Sequence, residues 1–128
     1  MNEQELFDWL KTNHYEDLVH SLNIFDGFDC STQNHSMFIE LKSRTTHYEE
    51  LLIEKKKYDF LISTANEKGL VPYYINYTPS GVWSFRLDEL PEIEWKDKWL
   101  PVTTEFNNKN KMMKPVGFID VKYASKLL

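Results

Sequence analysis

The pattern of apolar and polar positions divides the 128-residue chain into helical and extended segments. Apolar residues recur at helical spacing over residues 3–22, which predicts a first helix there. Residues 23–28 and 36–43 are short apolar runs, and the polar segment between them predicts the connection of a β-hairpin. The chain is therefore expected to begin with a helix and two paired strands.

A second helix is predicted over residues 47–66. Thr46 and Glu49 match a capping box, in which Thr46 caps the helix and the Glu49 side chain reaches back. Gly69 is suited to end the helix, and Lys68 lies near the negative end of the helix dipole. This helix would follow the first hairpin and pack on the sheet.

The second half of the chain is predicted to be mostly extended. Leu70–Thr78 and Val82–Leu87 are rich in β-branched and aromatic residues and flank a turn that contains proline and glycine, which predicts a second hairpin. Residues 88–106 are expected to be irregular, and residues 107–114 to form a polar basic loop. Residues 117–123 alternate and predict a last strand.

Composition adds limits to this outline. Aromatic residues make up 15% and charged residues 27% of the chain, and 128 residues suit one globular domain spanning 1–128. The single cysteine, Cys30, excludes an internal disulfide and favours a reducing, cytoplasmic environment. No segment approaches the roughly 20 apolar residues of a membrane span, and the N-terminus does not resemble a signal peptide.

Charge is distributed unevenly along the chain. The net charge of −5 argues against a nonspecific nucleic-acid coat protein. Residues 1–30 contain seven acids and one base, whereas residues 107–128 contain five bases and one acid, so a polyanion is expected to approach the C-terminal side. The candidate nucleic-acid contacts are Arg44, Lys109, Lys111 and Lys114.

Three charged residues interrupt the apolar strands of the first hairpin. Glu40 and Lys42 are two positions apart and therefore point to the same side of their strand. Charges on an otherwise apolar strand are costly unless they are paired or bind a metal. Folding of the hairpin would bring Asp26 beside Glu40, and Asp29 is the alternative acid for that position. Two carboxylates and an amine would then converge.

Such a set of groups has the parts needed for phosphodiester hydrolysis. The reaction needs a nucleophilic water and relief of the charge that develops on the phosphate. Mg²⁺ supplies both and prefers one or two carboxylates together with water and phosphate oxygens. Asp26 and Glu40 would be the carboxylates. Lys42 would orient the water, accept its proton or stabilise the developing charge.

Asp26 followed by Glu40-Leu41-Lys42 resembles the motif of the PD-(D/E)xK nuclease superfamily, in which an acid on one strand precedes Glu-x-Lys on the next and a helix follows. The resemblance covers about residues 3–78, and Phe25 stands where the motif has proline. It implies an α/β (α+β mixed) fold with a restriction-endonuclease-like core. In that core a central mixed β-sheet is flanked by helices in the order α-β-β-α-β-β, here with a C-terminal strand. The small size is similar to phage-encoded or resolvase-like members.

The resemblance also implies a site, a cofactor and a substrate. Mg²⁺, with Mn²⁺ as a substitute, would be held by Asp26, Glu40 and the backbone carbonyl of Leu41, and Lys42 would be the catalytic lysine. The following helix would add Glu54 or Lys55 as a fourth group. The protein would be a deoxyribonuclease acting in the cytoplasm, that of the host if it is phage-encoded. Symmetric cutting of two strands favours a homodimer.

Simpler interpretations stand beside this one. Glu40 and Lys42 could form an ion pair on a solvated sheet face, and Asp26 could be a turn acid. Lys56 and Lys57 fall outside the apolar stripe of the second predicted helix and are expected to lie in water. A non-catalytic nucleic-acid-binding or protein-interaction protein could keep the same fold. The pattern leaves open DNA or RNA, and branched, nicked, single-stranded or duplex substrates.

Overall fold

The computed structural model describes residues 1–21, 27–102 and 110–128. It contains a central sheet, a smaller second sheet and two α-helices. In these ranges the elements are, in chain order, α1 Glu3–Asn13, β1 Val19–His20, β2 Phe28–Thr32, β3 Met37–Ser43, β4 Glu50–Glu54, α2 Lys55–Lys68, β5 Val71–Thr78, β6 Gly81–Arg86, β7 Lys96–Pro101, β8 Lys111–Asp120 and β9 Ser125–Lys126. Two short 3₁₀ helices, Leu87–Glu89 and Val121–Tyr123, follow β6 and β8.

The central sheet is mixed, with the strand order β1-β2-β3-β5-β6-β9. β2 and β3 form an antiparallel hairpin, and β5 and β6 form another. β3 and β5 run parallel, so the chain must cross over between them, and α2 lies in that crossover. The predicted fold class is confirmed, and the order α-β-β-α-β-β holds for α1, β2, β3, α2, β5 and β6, whereas β1 and β4 were not predicted as strands.

Each helix covers one face of the central sheet. The alternation of β3 divides its side chains, so that Ile39 and Leu41 join the cluster under α1, whereas Phe38 joins the cluster under α2. The first cluster includes Leu6, Phe7, Leu10 and Ile75; the second includes Leu61, Ala65, Tyr74 and Phe85. Glu40 has the same parity as Phe38 and therefore faces α2.

A smaller sheet has the order β4-β8-β7. β8 is long enough to pair with β4 over residues 116–120 and with β7 over residues 111–116. Leu51, Ile53 and Ile119 pack from this sheet into the cluster under α2. Neither helix in the described parts of the chain is long and apolar enough to cross a membrane.

The second predicted helix begins eight residues later than expected, because residues 50–54 form β4. The prediction that Thr46 and Glu49 cap a helix is wrong, and Glu54 stands at the N-cap of α2 without a side-chain cap bond. Leu51 and Ile53 are buried at alternate positions, as in a strand. Their pairing with β8 is a long-range contact that outweighs the local helical signal.

Other predicted boundaries are also wrong. α1 ends at Asn13 and not at residue 22, because His14 and Tyr15 both donate backbone hydrogen bonds to the Leu10 carbonyl and close the helix. Residues 96–101 were expected to be irregular and residues 111–114 to lie in a loop, but they belong to β7 and β8, which pair with each other. Their exposed positions carry lysine as well as apolar side chains, so no alternation was visible in the sequence.

Candidate active site

Two buried carboxylates face each other on neighbouring strands. The antiparallel register of β2 and β3 places Asp29 directly opposite Glu40. Directly opposed residues share a face of the sheet, and this face is the one covered by α2. The two residues are only 4% and 3% exposed. A pair of acids in such a place is costly unless a proton or a cation compensates it.

The surroundings of Glu40 oppose its ionisation. Burial raises the pKa of Glu40 to about 9, a hydrogen bond with the Asp29 carboxyl also raises it, and the Lys57 ammonium lowers it. A carboxyl that is buried next to a second carboxyl shows this behaviour. Asp29 Oδ1 and Glu40 Oε2 meet no hydrogen-bond donor among the described residues. Free carboxylate oxygens fit a hard divalent cation such as Mg²⁺.

Lys57 is the basic group that meets this pair. Its Nζ lies 3.3 Å from Glu40 Oε1, and both side chains are largely buried. Lys57 follows Lys55 and Lys56 in the first turn of α2, and that turn contains no acid. Cations at a helix N-terminus oppose the helix dipole, each by about 0.3–1 kcal/mol. The lysines are therefore unfavourable for the helix itself, but one of them contacts Glu40. Violations of a local sequence preference are expected at functional sites.

The backbone at Gly27 closes the site from the β2 side. Gly27 has a φ of +89°, which favours glycine. A Cβ atom there would lie 2.2 Å from Glu40 Oε1 and 2.6 Å from Lys57 Nζ. A side chain at this position would displace the Glu40–Lys57 ion pair, whereas glycine lets the chain pass close to it.

Lys42 lies two residues beyond Glu40 on the same side of β3 and is half-buried. The parallel register places it beside Asn76 of β5. Asn76 is fully buried, and its Nδ2 has no hydrogen-bond partner among the described residues. A lysine and an unpaired amide donor therefore occupy neighbouring positions next to the carboxylate pair.

Arg44 is held in a buried polar network. Its Nε donates to Asn76 Oδ1 at 2.8 Å, and its Nη2 donates to the Tyr74 hydroxyl at 3.0 Å and to the Leu52 carbonyl. Tyr74 also donates to the Leu52 carbonyl at 3.1 Å, and burial raises the pKa of Tyr74 to about 12. These bonds fix the Asn76 amide, with its oxygen toward Arg44.

The other predicted site residues are distributed around this centre. Glu54 pairs with Lys114 at 3.0 Å, and Lys55 pairs with Asp59 at 2.7 Å. Leu41 is buried in the cluster under α1. Lys111 is exposed on β8. Asp26 and Lys109 lie outside the described residues.

Sequence reasoning missed Lys57, and the prediction that it lies in water is wrong. The predicted apolar stripe started from Leu51, which belongs to β4. Measured from the true helix, Lys57, Leu61 and Ala65 recur at i, i+4 and i+8, and the latter two are fully buried. That spacing places Lys57 on the face that meets the sheet.

A second acidic group lies on the surface. Ligand atoms of Glu16, Asp17 and His35 all fall within 4.8 Å of one another. Their oxygens already accept hydrogen bonds from the β2–β3 turn: Asp17 from Thr32 and the Asn34 backbone, and Glu16 from the Asn34 side chain. Those bonds lower the pKa of both acids. The group ties the turn to the segment after α1.

Comparison with known proteins supports the fold assignment. No protein-family model matches this sequence, and no curated protein matches it either. The architecture is of the resolvase and restriction-endonuclease-like class. A solved structure of this class is Hjc of Archaeoglobus fulgidus, a Holliday junction resolvase from an archaeal hyperthermophile. It superposes with a TM-score of 0.63 over 98% of this chain and 88% of that chain, at 15% identity. At that identity the likeness shows the fold.

Proposed function

We propose that this protein is a metal-dependent nuclease that hydrolyses phosphodiester bonds in DNA. The observation that supports this most strongly is the buried Asp29–Glu40 pair, because each carboxyl keeps an oxygen without a donor among the described residues. Asp29 takes the place that the sequence analysis favoured for Asp26. The Glu40-Leu41-Lys42 part of the predicted motif is kept.

The two carboxylates suit Mg²⁺, or Mn²⁺ in its place, because hard divalent cations take oxygen ligands. A cation bound there would lower the pKa of water and offset the charge that develops on the phosphate. The Leu41 carbonyl stays a predicted further ligand. Asp29 and Glu40 must both be ionised to act as ligands, and the Lys57 ammonium favours that state of Glu40.

Lys42 and Lys57 have different roles in this proposal. Lys42 lies on the same side of β3 as Glu40, where its ammonium would orient the attacking water or donate to a phosphate oxygen. Lys57 holds Glu40 Oε1 in position. It therefore replaces Glu54 and Lys55 as the fourth group, since those two side chains pair with Lys114 and Asp59.

DNA is proposed as the substrate on two grounds. The fold is shared with a protein that resolves Holliday junctions, and lysines are concentrated in the strands β7 and β8. A homodimer would supply two sites for two strands, as the sequence analysis expected. Cytoplasmic location and a phage origin stay predictions.

Purified protein tests the proposal with supercoiled plasmid and a synthetic four-way junction, each with Mg²⁺ or Mn²⁺. We expect cation-dependent cleavage that Glu40→Gln and Lys42→Ala each reduce by about a hundredfold or more. Lys68→Ala, an exposed change at the far end of α2, is the control and should cleave like the parent.

Two results would overturn the proposal. One is that Glu40→Gln and Lys42→Ala cleave DNA at the same rate as the parent. The other is that calorimetry detects no Mn²⁺ site whose occupancy depends on Asp29 and Glu40. In that second case a non-catalytic binding protein with the same fold becomes the better interpretation.

A further inference from the structure

The smaller sheet continues past the end of β4 as a two-stranded ribbon. β8 pairs with β4 as far as the Val116–Glu54 pair, and from there to Lys111 its strand partner within the described ranges is β7 alone. Because β8 is antiparallel to β4, this β7–β8 ribbon (residues 96–101 and 111–116) continues in the direction in which β4 runs. It therefore projects past the N-terminus of α2, which follows Glu54 directly.

The base of the ribbon lies beside the candidate active site. Lys114 Nζ on the ribbon contacts Glu54 Oε1 at 3.0 Å. Three residues after Glu54, in the first turn of α2, Lys57 contacts Glu40. A linear polymer whose scissile bond lies at Glu40 would meet the ribbon immediately outside the site.

The charge of the ribbon is opposite to that of the chain. Its two strands contain four lysines and one acid, Asp97, whereas the whole chain has a net charge of −5. The cross-strand register places Lys96, Lys98 and Lys114 on one face. Lys98 lies over the Phe118 ring of that same face, which supports the assignment. The other face carries Lys111.

An exposed apolar pair also marks that second face. Trp99 and Met113 are directly opposite each other and are 62% and 45% exposed. Trp99 shares its face with Lys111 and Asp97, and the other three lysines lie on the opposite face of the same ribbon. A solvent-exposed tryptophan on a basic ribbon is suited to nucleic acid, because bases and sugars stack on the ring while phosphates pair with the ammonium groups. A two-stranded ribbon also fits the width of the major groove of DNA.

We propose that the β7–β8 ribbon is a DNA-binding arm that holds the duplex next to the scissile phosphate. This inference rests on the proposed nuclease function, since it places the DNA at Glu40. The ribbon spans about 17 Å, which corresponds to about five base pairs. Lysines contact phosphates along this length, and Trp99 with Met113 contacts sugars or bases.

The charge of the ribbon favours DNA over a second copy of this chain. Two ribbons packed on each other would bring eight lysines together against two acids, since each has four lysines and Asp97. Like charges at such an interface are unfavourable. A polyanion has no such penalty and gains from the release of counterions.

Fluorescence anisotropy with a labelled duplex, recorded in EDTA so that no cleavage occurs, tests the arm. The variant Lys96→Gln/Lys98→Gln/Lys111→Gln should lower the slope of log Kd against log salt concentration by about two to three, since each lost phosphate contact lowers it by about 0.9. The control Lys68→Gln/Lys122→Gln/Lys126→Gln removes the same charge from exposed sites elsewhere and should leave the slope unchanged.

Trp99→Ala should raise Kd by about tenfold. Tyr48→Ala is the matched control, because Tyr48 is equally exposed but precedes the opposite end of β4. Circular dichroism should show every variant folded, as expected for exposed positions.

The outcomes separate this inference from the proposed function. If the ribbon variants bind DNA as tightly as the parent, the ribbon is not a DNA-binding arm, even if the parent cleaves DNA. A change in mass by light scattering, with DNA affinity unchanged, also overturns it and makes the ribbon a contact between copies. If the parent binds DNA through the ribbon but does not cleave it, the DNA-binding arm is supported and the proposed nuclease function is wrong.

Discussion

Nζ of Lys57 lies 3.3 Å from Oε1 of Glu40, and this ion pair joins the first turn of α2 to the third strand of the central sheet. Glu40 also faces Asp29 across the hairpin, so one carboxylate is held between a cation and a like charge. The cation favours the ionised form of Glu40, whereas burial and Asp29 oppose it. The ionisation of Glu40 that metal binding requires therefore depends on α2 as well as on β2 and β3.

Lys57→Met should weaken Mn²⁺ binding at neutral pH by about tenfold, because loss of the ammonium raises the pKa of Glu40 by about one unit. The decrease in affinity should shrink as the pH rises and Glu40 ionises in the variant too. Titration calorimetry at several pH values measures this. Lys56→Met changes the exposed neighbour in the same helical turn and should bind Mn²⁺ like the parent. Equal affinities for parent and Lys57→Met would contradict the assigned role.

Asp29→Asn and Asp26→Asn together decide which acid completes the site. Asp29→Asn should remove Mn²⁺ binding and slow cleavage by about a hundredfold or more, since it deletes one of two carboxylate ligands. Asp26→Asn should have the smaller effect on both. Thermal unfolding in chelator should show Asp29→Asn at least as stable as the parent, because a neutral amide takes the place of a buried carboxylate. Inactivation by Asp26→Asn alone would return the role to Asp26.

Glu40 makes the stability of the metal-free protein depend on pH. Its pKa rises from 4.5 to about 9 on folding, so the folded state binds more protons than the unfolded state between these values. The stabilisation from this group is therefore complete below about pH 4.5 and is lost as the pH rises through about 9. Glu40→Gln has no such titration.

In chelator, the midpoint of thermal unfolding of Glu40→Gln should therefore exceed that of the parent by an amount that grows from pH 5 to pH 9. Groups that do not interact with residue 40 cancel in this difference. Saturating Mn²⁺ should reverse the order at high pH by stabilising only the parent. A difference that stays constant with pH would show that Glu40 is not buried in the protonated form.

Gly27→Ala should damage the site and not only the fold. The added Cβ meets Glu40 Oε1 and Lys57 Nζ, so we expect a loss of about 2–4 kcal/mol in the free energy of unfolding and cleavage slowed by about a hundredfold. Gly69→Ala is the control, since Gly69 also has a positive φ but open space around it. That control should cost about 1–2 kcal/mol and leave cleavage unchanged. Equal cleavage rates for the two variants would count against close packing at Gly27.

Local patterns predicted much of the fold. The hairpin of β5 and β6 was predicted almost to the residue, because its strands are strongly β-forming and a short turn joins them. β4 was predicted as helix and β7 as irregular. Their partner is β8, so residues 50–54 pair with residues 116–120, and no local pattern reports a contact across such a distance.

The sequence by itself determined that Glu40 and Lys42 share one side of an apolar strand, because side-chain alternation is a local property of the backbone. Only the tertiary structure decided which groups meet them. The hairpin register sets Asp29 opposite Glu40, and a slip of one residue would turn it to the other face. The residue at which α2 begins sets Lys57 against Glu40. Register and helix phase depend on distant contacts, which is why the sequence offered Asp29 only as an alternative and missed Lys57.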